Sequence, residues 1–167
     1  MASFMRFFST TTQPSVKPAE DVYALVLRAF GSAPWNCSAK KVRDGLSYAY
    51  GEKGFYGVLA YNEKNRLVGA ALAARSLCSR GIQRLQLMTL CTEPERQGSG
   101  IGSQLLQKVI QTSQMRKDGC VDLVTLQGSP AVSFYMKKGF LVETPSPDYP
   151  DMLQMRFHMG CPSCARS

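Results

Sequence analysis

Hydrophobic positions change period several times along the 167-residue chain. Phe4-Met5-Arg6-Phe7-Phe8-Ser9 reads as an edge strand. Lys17-Pro18-Ala19-Glu20-Asp21 has the proline and acids of a helix start, and Val22, Leu25, Val26 and Ala29 follow at helical spacing until Gly31. A second helix is predicted over 39–50, capped by Ser38 and closed by Gly51 and Gly54. Phe55 to Tyr61 and Arg66 to Ala74 form a hairpin around the turn Asn62-Glu63-Lys64-Asn65. Gln83 to Thr92 is apolar on both faces, which predicts a central strand covered on both sides.

A glycine-rich loop comes next, then a helix face of Ile101, Leu105, Leu106, Val109 and Ile110 that fades near Met115. Gly119 breaks it, and Val121 to Leu126 is another apolar strand. Ser129 caps a short helix that starts at Pro130 and stops at Gly139. Phe140 to Val142 and Met152 to Met159 are the last strands. The order is β-α-α-β-β-β-α-β-α-β-β, an α/β (α+β) fold with helices on a mixed sheet. Residues 3–158 read as one domain, and 159–167 as a C-terminal tail.

Length and composition narrow the class. Residues of the AVILMFWYC set make up 44% and charged residues 19%, which excludes disordered, collagen-like and coiled-coil chains. The longest weakly polar stretch, Leu67 to Ala74, is far shorter than the ~18 residues of a membrane span. The net charge of +8 favours anionic partners, yet no recognition helix, zinc-finger spacing or RNP-like motif accompanies it. No nucleic acid and no membrane is expected as a partner.

Six cysteines, at 37, 78, 91, 120, 161 and 164, are distributed as in a reducing compartment. Cys161-Pro-Ser-Cys164 is a lone CxxC without the other two ligands of a zinc site, so no metal is expected. Cytoplasmic residence is the expectation. Met1 to Lys17, with Arg6, Lys17, Ser, Thr and no acid, leaves mitochondrial import open.

The chemistry concentrates in Glu93-Pro94-Glu95-Arg96-Gln97-Gly98-Ser99-Gly100-Ile101-Gly102. A strand, a glycine loop and a helix N-terminus together make a phosphate cradle, because unpaired N–H groups meet the ligand where no Cβ intervenes. A P-loop requires a lysine after the last glycine, where Ser103 stands. A dinucleotide fingerprint requires GxGxxG. Here the third glycine is misplaced, although Asp118 or Asp122 lies near the spacing of a ribose-binding acid.

Gln97-x-x-Gly100-x-Gly102 resembles the Q/R-x-x-G-x-G/A signature of the GNAT (GCN5-related N-acetyltransferase) superfamily. Leu90 to Pro94 is similar to that family's fourth strand and its exit. Ala131-x-x-Phe134-Tyr135-x-x-x-Gly139-Phe140 resembles its A-x-x-F-Y-x-x-x-G-F segment. The two motifs stand at the family's separation.

The resemblance implies a mostly antiparallel sheet of six to seven strands with about four helices, splayed between strands 4 and 5. It implies acetyl-CoA as cosubstrate, with Leu90, Cys91 and Thr92 along the pantetheine arm. Amides of Gly98, Ser99, Gly100, Ile101, Gly102 and Ser103 would hold the pyrophosphate, with Gln97 at the loop entrance and Arg96 and Lys138 as candidate anchors. Tyr135 matches the family's general acid toward the leaving thiolate, and a phenol pKa near 10 suits that task. Its alternative is packing beside Phe134.

Family members with a glutamate in the fourth strand use it as base, but Arg84-Leu85-Gln86-Leu87 holds no acid. Glu93 is the remaining carboxylate candidate, with loop capping as its other reading. A water chain and His158 are further options, and Cys91 reads as packing. The implied activity is acetyl transfer to a primary amine by direct attack in a ternary complex. The alternative is an inactive domain that binds CoA or another ligand. A homodimer is compatible with either. Trp35, Tyr48, Tyr50, Asp148 and Tyr149 are candidates for the acceptor side.

Overall fold

The computed structural model describes residues 5–10, 19–77, 81–146 and 149–160. Pro18, Cys78, Asp148, Cys161 and Cys164 lie outside them. Seven strands and four helices follow the expected order. They are β1 (Arg6–Thr10), α1 (Glu20–Phe30), α2 (Ala39–Gly51), β2 (Tyr56–Tyr61), β3 (Leu67–Leu77), β4 (Gln83–Thr92), α3 (Ile101–Met115), β5 (Cys120–Leu126), α4 (Pro130–Lys137), β6 (Leu141–Ser146) and β7 (Tyr149–His158). A single 3-10 turn, Pro94–Arg96, separates β4 from the glycine loop. The strand order is β1-β2-β3-β4-β5-β7-β6, and β4–β5 is the parallel pair beside antiparallel β1–β2, β2–β3, β5–β7 and β6–β7. No described helix is long and apolar enough to cross a membrane.

The chain divides into two compact units. The first contains Met1–Arg75 and Met88–Val109. Val22, Leu25 and Val26 of α1 and Val42, Leu46 and Ala49 of α2 pack with Phe55, Leu67, Leu72 and Cys91. The expected Ser38 cap forms, its hydroxyl accepting from Lys41 N at 3.2 Å. On α3's side of β3, Gly69 leaves room for no side chain. A Cβ there would stand 2.9 Å from Ile101 Cγ2 and Leu105 Cδ1 and 3.4 Å from the Cys91 carbonyl oxygen. Gly69→Val should therefore lower stability by about 1–3 kcal/mol through overpacking. A thermal melt of the variant reads this, and an unchanged midpoint would contradict the close approach.

The second unit contains Ser76–Leu87 and Ile110–Ser167. Its parallel ladder pairs Arg84–Leu87 with Cys120–Leu123, and both strands run on beyond it. Tyr135 and Phe140 stack at 5.4 Å between centroids, and Phe140 and Phe157 at 5.5 Å. These rings place α4 on the Phe157 side of β7. Gly139 ends α4 at φ +92°, where L side chains are strained.

Two expectations need correction. β4 is not covered equally on both faces: Leu85, Leu87 and Cys91 are buried, while Gln86, Met88, Leu90 and Thr92 are half-exposed. Ser129 stands at the N-cap position of α4 but makes no capping hydrogen bond, and its buried Oγ has no partner among the described residues.

Candidate functional site

The first unit brings together the end of β4 from Met88, the 3-10 turn, the glycine loop and the start of α3. Gly98 and Gly100 have φ of +81° and +85°, so the loop folds through a region that favours glycine. A Cβ at either position would meet nothing within 4 Å. The glycines are thus required by backbone conformation and leave open space above the loop. Ser99 N donates to the Arg96 carbonyl at 3.2 Å and Gln104 N to the Gly100 carbonyl at 3.1 Å, which fixes the turn into the helix. Gln97 to Gly100 are exposed, Ile101 is buried, and Gly102 and Ser103 are half-buried. No acid occupies the first turn of α3. The positive end of its dipole and the first-turn N–H groups therefore have no carboxylate of that turn competing for them.

Glu93 sits just before this loop, 4% exposed. Its backbone N donates to the Val68 carbonyl at 2.9 Å. Its carboxylate accepts from Arg66 and lies 3.6 Å from Arg28 and 3.7 Å from Arg96. One carboxylate faces three guanidiniums, leaving two positive charges in excess beside the cradle. The three arginines come from α1, the β2–β3 turn and the loop itself, and local pattern reading could not group them.

Cys91 is fully buried, and that burial pushes its thiol up to about 12. It stays protonated near neutral pH and is no nucleophile, in keeping with its reading as packing.

Tyr135 lies in the second unit, 7% exposed, stacked at 5.2 Å on Phe134. Lys138 is exposed, with its ammonium 5.9 Å from the Phe134 ring centre. His158 Nε2 lies 3.2 Å from Glu143 Oε1. Asp118 is buried and accepts from Ser113 Oγ at 3.1 Å, and Asp122 accepts from Arg84 at 2.7 Å. Neither acid is free to bind a ribose, which removes support from the dinucleotide alternative. Of the aromatic candidates for the acceptor side, Tyr50 belongs to the core against Phe55, and Trp35 packs on Phe30. Tyr48 and Tyr149 are exposed. No cluster of metal-ligating side chains occurs among the described residues.

A family model described as an acetyltransferase (GNAT) domain matches residues 53–142, from β2 through the start of β6. The chain belongs to the GNAT family. It is accordingly an N-acetyltransferase with acetyl-CoA as its cosubstrate. Comparison with curated proteins gives no match.

Solved structures share this GNAT fold at low identity. A putative GNAT acetyltransferase from Desulfovibrio desulfuricans is 20% identical, with a TM-score of 0.70 over 93% of this chain and 99% of that one. The PaiA N-acetyltransferase of Thermoplasma acidophilum, solved with coenzyme A, is 17% identical, with a TM-score of 0.65 over 95% and 99%. The glucosamine N-acetyltransferase region of a fungal multi-domain GH3 β-N-acetylglucosaminidase is 19% identical, with a TM-score of 0.65. That match spans 85% of this chain and 18% of the fungal one.

Proposed function

We propose that the protein transfers the acetyl group of acetyl-CoA to a primary amine, on a small molecule or a protein, by direct attack in a ternary complex. The observation that carries this reading is the cradle. Two glycines at positive φ open a helix N-terminus that has no acid in its first turn, beside an arginine cluster with excess positive charge. In this reading residues 3–158 act as one catalytic domain, with 159–167 as a tail.

Amides from Gly98 to Ser103 bind the pyrophosphate, with Gln97 at the loop entrance. The backbone of Leu90, Cys91 and Thr92 takes the pantetheine arm as an added strand would. Tyr135 donates a proton to the leaving thiolate. Glu93 is assigned a positioning role. With its carboxylate engaged by three arginines and buried, it holds Arg96 and the loop entrance in place. Cys37, Cys91 and Cys120 form no disulfide among the described residues, which accords with a cytoplasmic enzyme, with organelle import left open. Nucleic acid and membrane have no part in this reading, and a monomer or a homodimer serves it equally.

The test is calorimetric titration with acetyl-CoA, with NADH as control, followed by free-thiol release across a panel of primary amines. Binding of acetyl-CoA alone, with thiol release on one or more amines, is the expected result. A folded protein that binds no acetyl-CoA would overturn the cradle. Binding without transfer to any amine would favour the inactive CoA-binding alternative.

A further inference from the structure

The proposed transfer places the pyrophosphate in the glycine loop and gives the arginines beside it no ligand of their own. Arg28, Arg66 and Arg96 belong to the first unit, together with Glu93 and the loop. Arg66 donates to Glu93 Oε1, Arg28 Nη2 lies 3.6 Å from the same oxygen, and Arg96 Nε lies 3.7 Å from Oε2. At those distances Arg28 and Arg96 are drawn to the carboxylate without spending a hydrogen bond on it. Glu63 and Glu95 are close by in the chain, and neither pairs with these arginines among the described residues.

Like charges gathered this closely repel, so the fold must hold them there. Val22, Leu25 and Val26 seat α1 in the core, which fixes the root of Arg28. The buried Asn62 accepts from Lys64 N at 3.0 Å and from Arg66 N at 2.9 Å, which fixes the turn before β3. Arg96 N donates to the Glu93 carbonyl at 2.8 Å. Three anchored segments thus hold three guanidiniums around one buried carboxylate. The side chains of Arg28, Arg66 and Arg96 remain 42%, 62% and 36% exposed, so a ligand in solvent can reach their outer donors.

This cluster is not a second description of the cradle. Successive residues of a strand point to opposite faces. Gly69 of β3 faces Ile101 and Leu105 of α3, whereas Ala70 packs with α1 and α2. The cradle opens α3 on the Gly69 face, and Arg28 reaches Glu93 from the α1 face. Charge then selects the ligand. Glu93 offsets one of the three guanidiniums and leaves two positive charges. A phosphate monoester carries about −1.5 to −2 at neutral pH and has three strong acceptor oxygens. A carboxylate would leave part of that charge unmatched.

We propose that Arg28, Arg66 and Arg96, organised by Glu93, form a phosphate-monoester site separate from the glycine cradle. Two sources carry that chemistry within the proposed reaction, the 3′-phosphate of the cosubstrate and a phosphate on the amine acceptor. The site stands without that reaction, and only the source of its ligand rests on the transfer reading.

The test uses phenyl phosphate as probe and phenyl sulfate, with a single negative charge, as control. Both are titrated against the full chain and followed by the proton resonances of the ligand. The wild type should bind phenyl phosphate at least about fivefold more tightly than phenyl sulfate. Arg28→Gln and Arg66→Gln should each weaken phenyl phosphate about tenfold, and Arg28→Lys should recover part of the loss. Arg28 makes no hydrogen bond to Glu93, so Arg28→Gln should fold, which a thermal melt checks. Gly100→Val should keep phenyl phosphate affinity within about threefold, because the cradle is a different site. Two further arms identify the source. Acetyl-CoA binding at least about tenfold tighter than 3′-dephospho-acetyl-CoA, with the gap erased in Arg28→Gln, assigns the phosphate to the cosubstrate. Equal binding of those two, with a KM for O-phosphoethanolamine about tenfold below that for ethanolamine and the gap erased in Arg28→Gln, assigns it to the acceptor. No binding of phenyl phosphate, binding that the arginine variants leave unchanged, or binding that Gly100→Val abolishes would each overturn the site. A wild type that binds phenyl phosphate through these arginines yet acetylates no amine counts against the transfer reading alone.

Discussion

Gly100→Val is expected to weaken acetyl-CoA binding at least about 100-fold, roughly 3 kcal/mol, in a chain that still folds. Gly100 has φ of +85°, a conformation that β-branched residues avoid. Nothing in the protein lies within 4 Å of the added Cβ, so the substitution strains the loop without colliding with the core. It also places a branched side chain in the open space that a pyrophosphate would approach. Calorimetry on the folded variant decides the matter. Unchanged affinity would reduce the loop to a tight turn.

The second large effect is expected at Tyr135→Phe. The ring stacks on Phe134 and Phe140, contacts that a phenylalanine retains. Only the hydroxyl is removed, so a packing role predicts little change in turnover. A proton-donating role predicts a fall in kcat of about 100-fold, with acetyl-CoA affinity within about twofold. Steady-state thiol release together with calorimetry separates the two. A kcat within twofold of wild type would return Tyr135 to the core.

The parts legible in the sequence are those written locally. The β4–loop–α3 run declares itself through three glycines and the helical period of Ile101, Leu105, Leu106 and Val109, all within some twenty residues. Gln83–Thr92 is bounded by its own apolar pattern. The Ser38 cap is equally local, and it forms. Ser129 shows where local rules stop: it occupies the right place before Pro130 yet makes no cap, and its buried hydroxyl has no partner among the described residues. The one-sided burial of β4 is not legible there because Leu85, Leu87 and Cys91 on one face are matched by Met88 and Leu90 on the other, and composition cannot say which face a helix covers.

The electrostatics were less legible still. Arg28, Arg66 and Arg96 meet Glu93 only after three separate elements have folded. Asp122 finds Arg84 38 positions away through the register of a parallel pair. Its spacing from the glycines suggested a ribose ligand, whereas the ladder buries it. Charges of this kind belong to the topology, and no window of sequence contains them.

Gly69 has a consequence for how this scaffold can diverge. Because α3 seats its first two turns against bare backbone at that position, the cradle takes its place from the sheet itself and not from side chains on the outer helices. Residues before 53 lie outside the matched family region; α1 and α2 pack against Leu67 and Cys91, and Arg28 reaches Glu93. Substitutions on the exposed faces of α1 and α2 can therefore accumulate without disturbing the seat of α3 on β3.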